Sequence, residues 1–202
     1  MSGDESDAGI SAPDDIELVA RCQTGDVVAF ELLVRKYSAR LVRLLRGYLH
    51  SEQDADDVAQ EAFVRAWRGI KSFRGASGFY TWLVRIAINE ANRHLKKRAR
   101  IPAPGTVDGE RVDLDAADWR PGPEGRLLRA DLLRQLERAV LALPVKYRAP
   151  VVLRDIEGMS TTEAAAIIGV SEAAFKSRLH RGRLLLRRTL GDALLDESGE
   201  SR

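Results

Sequence analysis

The sequence predicts an all-α protein made of two small helical domains. Apolar residues recur at helical spacing along most of the 202 residues, and no segment alternates apolar and polar residues as a half-buried strand does. An acidic stretch rich in Pro and Gly interrupts this pattern, which is typical of a flexible linker. The predicted order is a disordered acidic tail, a helical domain, the linker, a second helical domain and an acidic tail, at residues 1–14, 15–100, 101–125, 126–191 and 192–202.

The first domain is predicted to begin with an amphipathic helix that ends near Gly25. Asp26 follows, and Asp is a residue type whose side chain caps the start of a helix. Apolar residues then recur at four-residue steps from Val58 to Ala66, which predicts a helix with one buried side. Segment 71–79 contains Gly and Ser and predicts a loop.

The helix predicted after this loop separates apolar from polar residues. Its apolar side, which should be buried, carries Val84, Ala87, Ile88, Ala91 and Leu95. The opposite side carries Trp82, Arg85, Asn89, Asn92, Arg93 and Lys96. The preceding loop and the start of the helix add Phe73, Arg74, Ser77, Phe79 and Tyr80.

This face is predicted to be exposed and to capture unpaired bases of an opened DNA strand. Aromatic rings stack on unpaired bases with ~1–3 kcal/mol each, while cations hold the phosphate backbone. Asn side chains can recognise base edges, and a duplex base reaches such a surface only after it leaves its stack. The alternative is that rings such as Phe79 and Trp82 anchor the hydrophobic core, and that the cations only solvate the surface.

The second domain carries the pattern of a helix-turn-helix. Ala165 is small enough for two helices to cross closely, Gly169 can adopt the positive φ of a tight turn, and Ser171 can cap the next helix. Phe175 stands where an apolar plug is needed. The second helix presents to the outside, where base edges in the major groove are met, Ala173, Lys176, Ser177, His180 and Arg181. The alternative is a plain packing unit with a solvated cationic face.

The composition narrows the class of protein further. The net charge is only +2, but residues 85–100 and 176–188 each contain six Lys/Arg, and such blocks attract a polyanion. No apolar run approaches the ~18 residues of a membrane span, and Cys22 is the single cysteine. No zinc-type Cys/His cluster, phosphate-binding glycine loop or nucleophile–base pair is visible. We therefore expect a cytoplasmic protein that is not an enzyme, without cofactor, metal, membrane insertion or small-molecule substrate.

Five segments in a fixed order carry a resemblance to a known family. They are GDVVAFELLVRKY, DADDVAQEAFVRAWRGIKSFRG, FYTWLVRIAINEANRHL, LPVKYRAPVVLRDIEGMS and FKSRLHRGR. From about Asp15 to Leu190 the chain resembles bacterial RNA polymerase sigma factors of the extracytoplasmic-function class. The resemblance implies a protein that binds core RNA polymerase, directs it to specific promoters and assists DNA melting.

The resemblance also implies roles for individual residues. The loop Phe73–Phe79 would hold a flipped base of the minus-ten element, and Asn89 would help to recognise that element together with the rest of the aromatic and cationic face. The minus-thirty-five element would be contacted by Arg154, on a phosphate, and by Ala173, Lys176, Ser177, His180 and Arg181. The residues expected to meet the clamp helices of the largest polymerase subunit, which could equally be ordinary surface, are Asp57, Gln60, Glu61 and Arg65.

Further partners follow from the same resemblance. The second domain would bind the flap of the second-largest subunit, the linker would run toward the RNA exit channel, and an anti-sigma factor would regulate the protein. Three positions depart from the family pattern: Ala174-Phe175 replaces a common Thr-Val pair, Gly182 a usual alanine, and Ala76 a frequent acid.

Two other functions stay open at this point. The first is a stand-alone regulator that binds duplex DNA through its helix-turn-helix without polymerase. The second is an interaction protein whose helices dock on a partner, which would show no salt-dependent affinity for DNA.

Overall fold

The computed structural model describes residues 14–98 and 124–199, and side chains at 14–98 and 132–191; within these ranges the chain forms helices and no strand. The helices of the first domain are α1 Asp15–Gln23, α2 Val27–Arg46, α3 Glu52–Gly69 and α4 Phe79–Arg98, with a short 3-10 turn Ile70–Ser72 before α4. Those of the second domain are α5 Glu124–Ala142, α6 Val145–Val151, a π-helical turn Val152–Ile156, α7 Thr161–Ile168 and α8 Glu172–Gly199.

The predicted class of two helical domains is confirmed, and two helices extend past the predicted domain bounds. Helix α5 begins at Glu124, inside the last two residues of the predicted linker. Helix α8 continues to Gly199 and so enters the predicted acidic tail. The predicted disordered tail at residues 1–13 and the linker at 99–123 lie outside the described residues. No helix of the described ranges is long and apolar enough to cross a membrane.

The first domain is held together by the side of α3 that carries small residues. Ala55, Ala59, Ala62 and Ala66 recur at helical spacing and are buried, so the neighbouring helices can approach this helix closely. Helix α2 contributes leucines, and α4 contributes Leu83 and the apolar side that the sequence predicts. Because α4 packs through this side, its polar side must face outward.

The capping and turn predictions are confirmed in both domains. Asp26 caps α2, because its carboxylate accepts from the Ala29 N–H at 3.0 Å. The preceding residue, Gly25, has a φ of +97°. Gly169 has a φ of +68° between α7 and α8. The Ser171 hydroxyl accepts from the Ala174 N–H at 3.2 Å, and Phe175 is fully buried as the apolar plug.

The unusual glycine of α8 lies where α6 crosses this helix. A Cβ at Gly182 would lie 2.9 Å from Cγ2 of Val151 and 3.0 Å from the carbonyl oxygen of Tyr147. Such distances are too short for ordinary packing, so the absence of a side chain lets α6 approach α8 closely. The departure from the usual alanine therefore has a packing cause.

The two domains contact one another through polar side chains. Arg148 of α6 is 4% exposed and donates to the carbonyl of Tyr48 at 2.7 Å, and one of its terminal nitrogens lies 3.3 Å from Nε2 of His50. Glu157, which follows the π-helical turn, accepts from Arg40 at 2.9 Å and from the Tyr80 hydroxyl at 3.0 Å. The sequence pattern did not predict this inter-domain contact.

We expect Gly182→Ala to destabilise the second domain by ~1–3 kcal/mol, because the added methyl group overpacks the α6–α8 crossing. Urea unfolding at equilibrium would measure the change. Gly191→Ala is the matched control, since nothing lies within 4 Å of a Cβ there. An alanine at that helical position should raise stability by ~0.5–1 kcal/mol. Equal stability of Gly182→Ala and the unchanged protein would contradict the packing explanation.

We also expect the stability of the protein to fall as the pH drops below about 6.5, the ordinary pKa of a histidine. Partial burial lowers the pKa of His50, and the guanidinium groups of Arg148 and Arg98 lower it further. A lowered folded-state pKa means that proton binding favours the unfolded chain. The stabilisation that comes from neutral His50 is therefore complete above about pH 6.5 and is lost below it. The change in unfolding free energy between about pH 7.5 and 5.5 should be smaller in His50→Gln. Identical pH dependence of both proteins would refute this role.

Candidate nucleic-acid interface

The loop between α3 and α4 is held in place by hydrogen bonds from α1. The side-chain amide of Gln23 donates to the carbonyl of Phe73 at 2.8 Å and to that of Ile70 at 3.2 Å. Gly75 has a φ of +70° and supplies the bend of the loop. These contacts leave Arg74 exposed and Ser77 partly exposed, as is expected of a loop that holds a base. The helical pattern of the sequence did not predict this role of Gln23, because its partners lie about fifty residues further along the chain.

Two of the predicted rings are not on the exposed face. Phe79 is 2% exposed and packs between the rings of Tyr37 and Trp82, with centroid distances of 5.8 and 5.9 Å. Tyr80 is 8% exposed, its ring lies 4.1 Å below the guanidinium of Arg40, and its hydroxyl is held by Glu157 of the second domain. Burial raises the pKa of Tyr80 above its usual range. The expectation of an exposed position was wrong for these two residues.

Two other rings do reach the surface. Phe73 and Trp82 are half-buried and lie 5.0 Å apart at a tilt of 47°. The indole of Trp82 rests against Gly69 of α3, where a Cβ would lie 3.5 Å from Cζ2. These two rings therefore combine an anchored edge with an accessible surface, which suits stacking better than a freely rotating side chain would.

The polar side of α4 is largely exposed, as predicted. Arg85, Asn89, Arg93 and Lys96 are all exposed. Asn92 is the exception, because it is half-buried and its Oδ1 accepts from the Tyr48 hydroxyl at 2.8 Å. Its side chain is thus committed to packing, and an exposed position for it was predicted wrongly.

A groove of ≈ 460 Å³ runs beside this stripe, between α3 and α4. Its lining joins one aromatic ring, one amide and several cations to a single acid: Arg65, Arg68, Gly69, Trp82, Ile86, Asn89, Glu90 and Arg93. The groove offers a stacking surface, a hydrogen-bonding amide and positive charge side by side, which are the components of a single-strand binding site.

The residues assigned to polymerase contact lie on α3. Asp57 and Gln60 are exposed, while Glu61 forms an ion pair of 2.8 Å with Arg65. Arg65 also reaches Glu90 of α4 at 2.9 Å. Arg65 therefore lines the groove between α3 and α4 and also lies on the exposed surface of α3.

The outward residues of α8 form one surface. Ala173, Lys176, Ser177, His180 and Arg181 are all exposed, on the side of the helix away from Phe175. The guanidinium of Arg181 beside the hydroxyl of Tyr147 lowers the pKa of that tyrosine. Arg154 is exposed too, although it donates to the carbonyl of Met159 at 2.7 Å. Arg183 instead pairs with Asp155 through two contacts, at 2.5 and 3.0 Å.

Comparison with known proteins assigns both helical domains to one family. The family model for Sigma-70 region 2 matches residues 33–101, and the one for Sigma-70, region 4 matches residues 133–186. The chain is 39% identical to the RNA polymerase sigma-H factor of Pseudomonas aeruginosa over 173 residues, which cover 84% of this chain and 90% of that protein. It is 38% identical to the ECF RNA polymerase sigma-E factor of Escherichia coli K12 over 174 residues, covering 82% and 88%.

The chain belongs to the extracytoplasmic-function sigma factors. This sigma factor is also similar to a solved structure of CnrH in complex with the cytosolic domain of CnrY. The TM-score is 0.60 at 30% identity, and the match covers 91% of this chain and 97% of that one. As a member of its family, the sigma factor binds RNA polymerase and directs it to promoters, so the alternative of a stand-alone regulator is excluded.

Proposed function

We propose that the sigma factor grips the opened minus-ten strand with the loop 73–79 and the polar side of α4, while α8 holds the duplex minus-thirty-five element. The observation that supports this most directly is the groove in which Trp82, Asn89 and Arg93 stand side by side. The exposed row on α8 supplies the second contact.

The free energy for melting would come from binding alone. Flipping a base costs a few kcal/mol, and stacking on Phe73 or Trp82 returns ~1–3 kcal/mol per base. Exposed cations add phosphate contacts, which are strengthened by the release of counterions. Stacking would thus return part of the cost of each flipped base, and the phosphate contacts would supply the remainder.

The proposed minus-ten residues fall into two groups. Those that would touch DNA are Phe73, Arg74, Ser77, Trp82, Arg85, Asn89, Arg93 and Lys96. Phe79 and Asn92 would act by holding the helix in position, because both are engaged inside the protein. Tyr80 belongs with them for as long as Glu157 holds its hydroxyl.

Protein partners complete the proposal. The clamp of the largest polymerase subunit would be contacted by Asp57, Gln60, Glu61 and Arg65. The second domain would contact the flap of the second-largest subunit. These contacts would form in the cytoplasm, where promoter DNA is found. An anti-sigma factor would bind the sigma factor and block these surfaces. CnrH, to which this chain is similar, was solved in complex with the cytosolic domain of CnrY, which supports a protein partner of the sigma factor.

Trp82→Ala and Asn89→Ala should each leave the affinity for core polymerase unchanged and reduce open-complex formation about ten-fold. The first removes ~1–3 kcal/mol of stacking, and the second removes a base-edge contact of about the same size. Permanganate footprinting of a promoter selected by run-off transcription with purified core would measure melting. Gln53→Ala, which removes an exposed amide of α3 outside the groove, is the matched control. Normal melting by both groove variants would reject the proposed minus-ten site.

The Lys176→Ala/Arg181→Ala double variant should lose the preference for the native minus-thirty-five sequence over a scrambled one, because these residues stand where a recognition helix meets base edges. Transcription from paired promoters that differ only in this element would measure the preference. Arg187→Ala/Arg188→Ala removes the same charge further along α8 and should weaken both promoters equally. If the two double variants behaved alike, α8 would contribute charge without sequence recognition.

A further inference from the structure

The single acid within the basic segment 85–100 is buried. Glu90 is 8% exposed, although it lies beside the exposed Asn89 on α4. Among the described residues, Glu90 and Arg148 are buried as whole residues, and the side chain of Glu157 is buried as well. A buried carboxylate is costly unless it is paired and hydrogen-bonded, so its partners explain why it is tolerated here.

Glu90 binds two guanidinium groups from two helices. Its Oε1 accepts a hydrogen bond from Arg93, one turn further along α4, at 2.6 Å, and forms an ion pair with Nε of Arg65 of α3 at 2.9 Å. The side chains of Arg65 and Arg93 are 43% and 64% exposed. The carboxylate is therefore the fixed end of both pairs, and each arginine extends from it toward solvent.

Glu90, Arg65 and Arg93 lie between two neighbouring grooves. The first groove holds Trp82 and Asn89, and the second, of ≈ 410 Å³, is lined by Asp57 and Glu61. Glu90 and its two arginines line both. Glu90 thus holds Arg93, and together with Glu61 it holds Arg65, beside the ring and the amide of the first groove.

We propose that Glu90 is a positioning residue for minus-ten recognition, which it serves by holding Arg93 and Arg65 at the edge of the α3–α4 groove. Held there, the guanidinium of Arg93 meets the phosphate of a nucleotide whose base lies against Trp82 and Asn89. The proposal rests on the minus-ten site proposed above and adds a residue that touches no DNA itself. It makes sequence discrimination, and not affinity for DNA in general, the property that depends on Glu90.

Loss of the acid should affect two kinds of binding in opposite directions. In Glu90→Gln Arg93 loses its negative partner and Arg65 keeps only Glu61, so non-specific attraction to phosphates rises and its salt dependence steepens. Recognition of the native sequence falls, because the released cations no longer hold the strand in register with the ring and the amide. A residue with only a structural role would weaken both kinds of binding together.

The test compares two single-stranded oligonucleotides bound to holoenzyme by fluorescence anisotropy at several salt concentrations. One carries the non-template minus-ten strand of a promoter selected by the unchanged holoenzyme, and the other the same bases scrambled. Glu90→Gln should lower the native-to-scrambled affinity ratio about ten-fold, as expected for a lost charge-assisted contact. Asp54→Asn is the matched control, since Asp54 of α3 pairs with Arg98 of α4 at 2.7 Å but lines neither groove. Its ratio should equal that of the unchanged protein.

Arg93→Gln keeps the inference testable if Glu90→Gln does not fold. Arg93 is exposed, and its loss should lower the ratio as much as the loss of Glu90 does. The double variant should be no worse than either single one, because both act through the same contact. An unchanged ratio in Arg93→Gln, or equal losses on both oligonucleotides in Glu90→Gln, would overturn the role of Glu90. If Trp82→Ala also binds both oligonucleotides normally, the minus-ten site itself is misplaced; if only Trp82→Ala lowers the ratio, the site stands and Glu90 has no part in it.

Discussion

The packing of α4 against the alanine-lined side of α3 is the constraint on which the other features depend. Leu83, Val84, Ala87 and Ile88 of α4 are all fully buried. Successive helical residues point about 100° apart, so a rotation by one position would bury charged Arg85 and expose apolar surface. The rotation of α4 is thereby fixed, and with it the outward direction of Asn89 and the place of every groove residue on this helix.

The first turn of α4 serves two purposes that conflict with each other. Its rings are needed for the core, where Phe79 packs on Tyr37, and the following residues reach the second domain. Thr81 donates to Glu163 at 3.1 Å, and the same carboxylate completes a capping box with Ser160 at the start of α7. Hydrogen bonds from Ser160 lower the pKa of Glu163, so this acid remains charged where the domains meet. Of the rings predicted to bind the minus-ten strand, Phe73 and Trp82 lie away from this contact and remain partly exposed.

Local patterns in the sequence predicted most of the fold and part of the candidate site. Helical spacing, the cap at Asp26, the turn at Gly169 and the plug at Phe175 involve residues within one or two helical turns, and all are present in the structure. The misplaced rings have a different origin. The partner of Tyr80 is Glu157, 77 residues away in the other domain, and no helical period contains such a contact. The pairing of Glu90 with Arg65 across two helices was hidden for the same reason.

The Arg148 contact has a consequence for how the domain junction can change through evolution. Its guanidinium satisfies carbonyls at the end of α5, including that of Leu143 at 3.0 Å, and reaches the first domain through the main chain of Tyr48. Every amino acid offers a carbonyl, so position 48 can vary without losing this acceptor. The Arg40–Glu157 ion pair has no such freedom, because it joins two side chains and substitution of either residue abolishes it. The main-chain half of the junction therefore keeps its acceptor whatever side chain occupies position 48, while the other half makes positions 40 and 157 depend on each other.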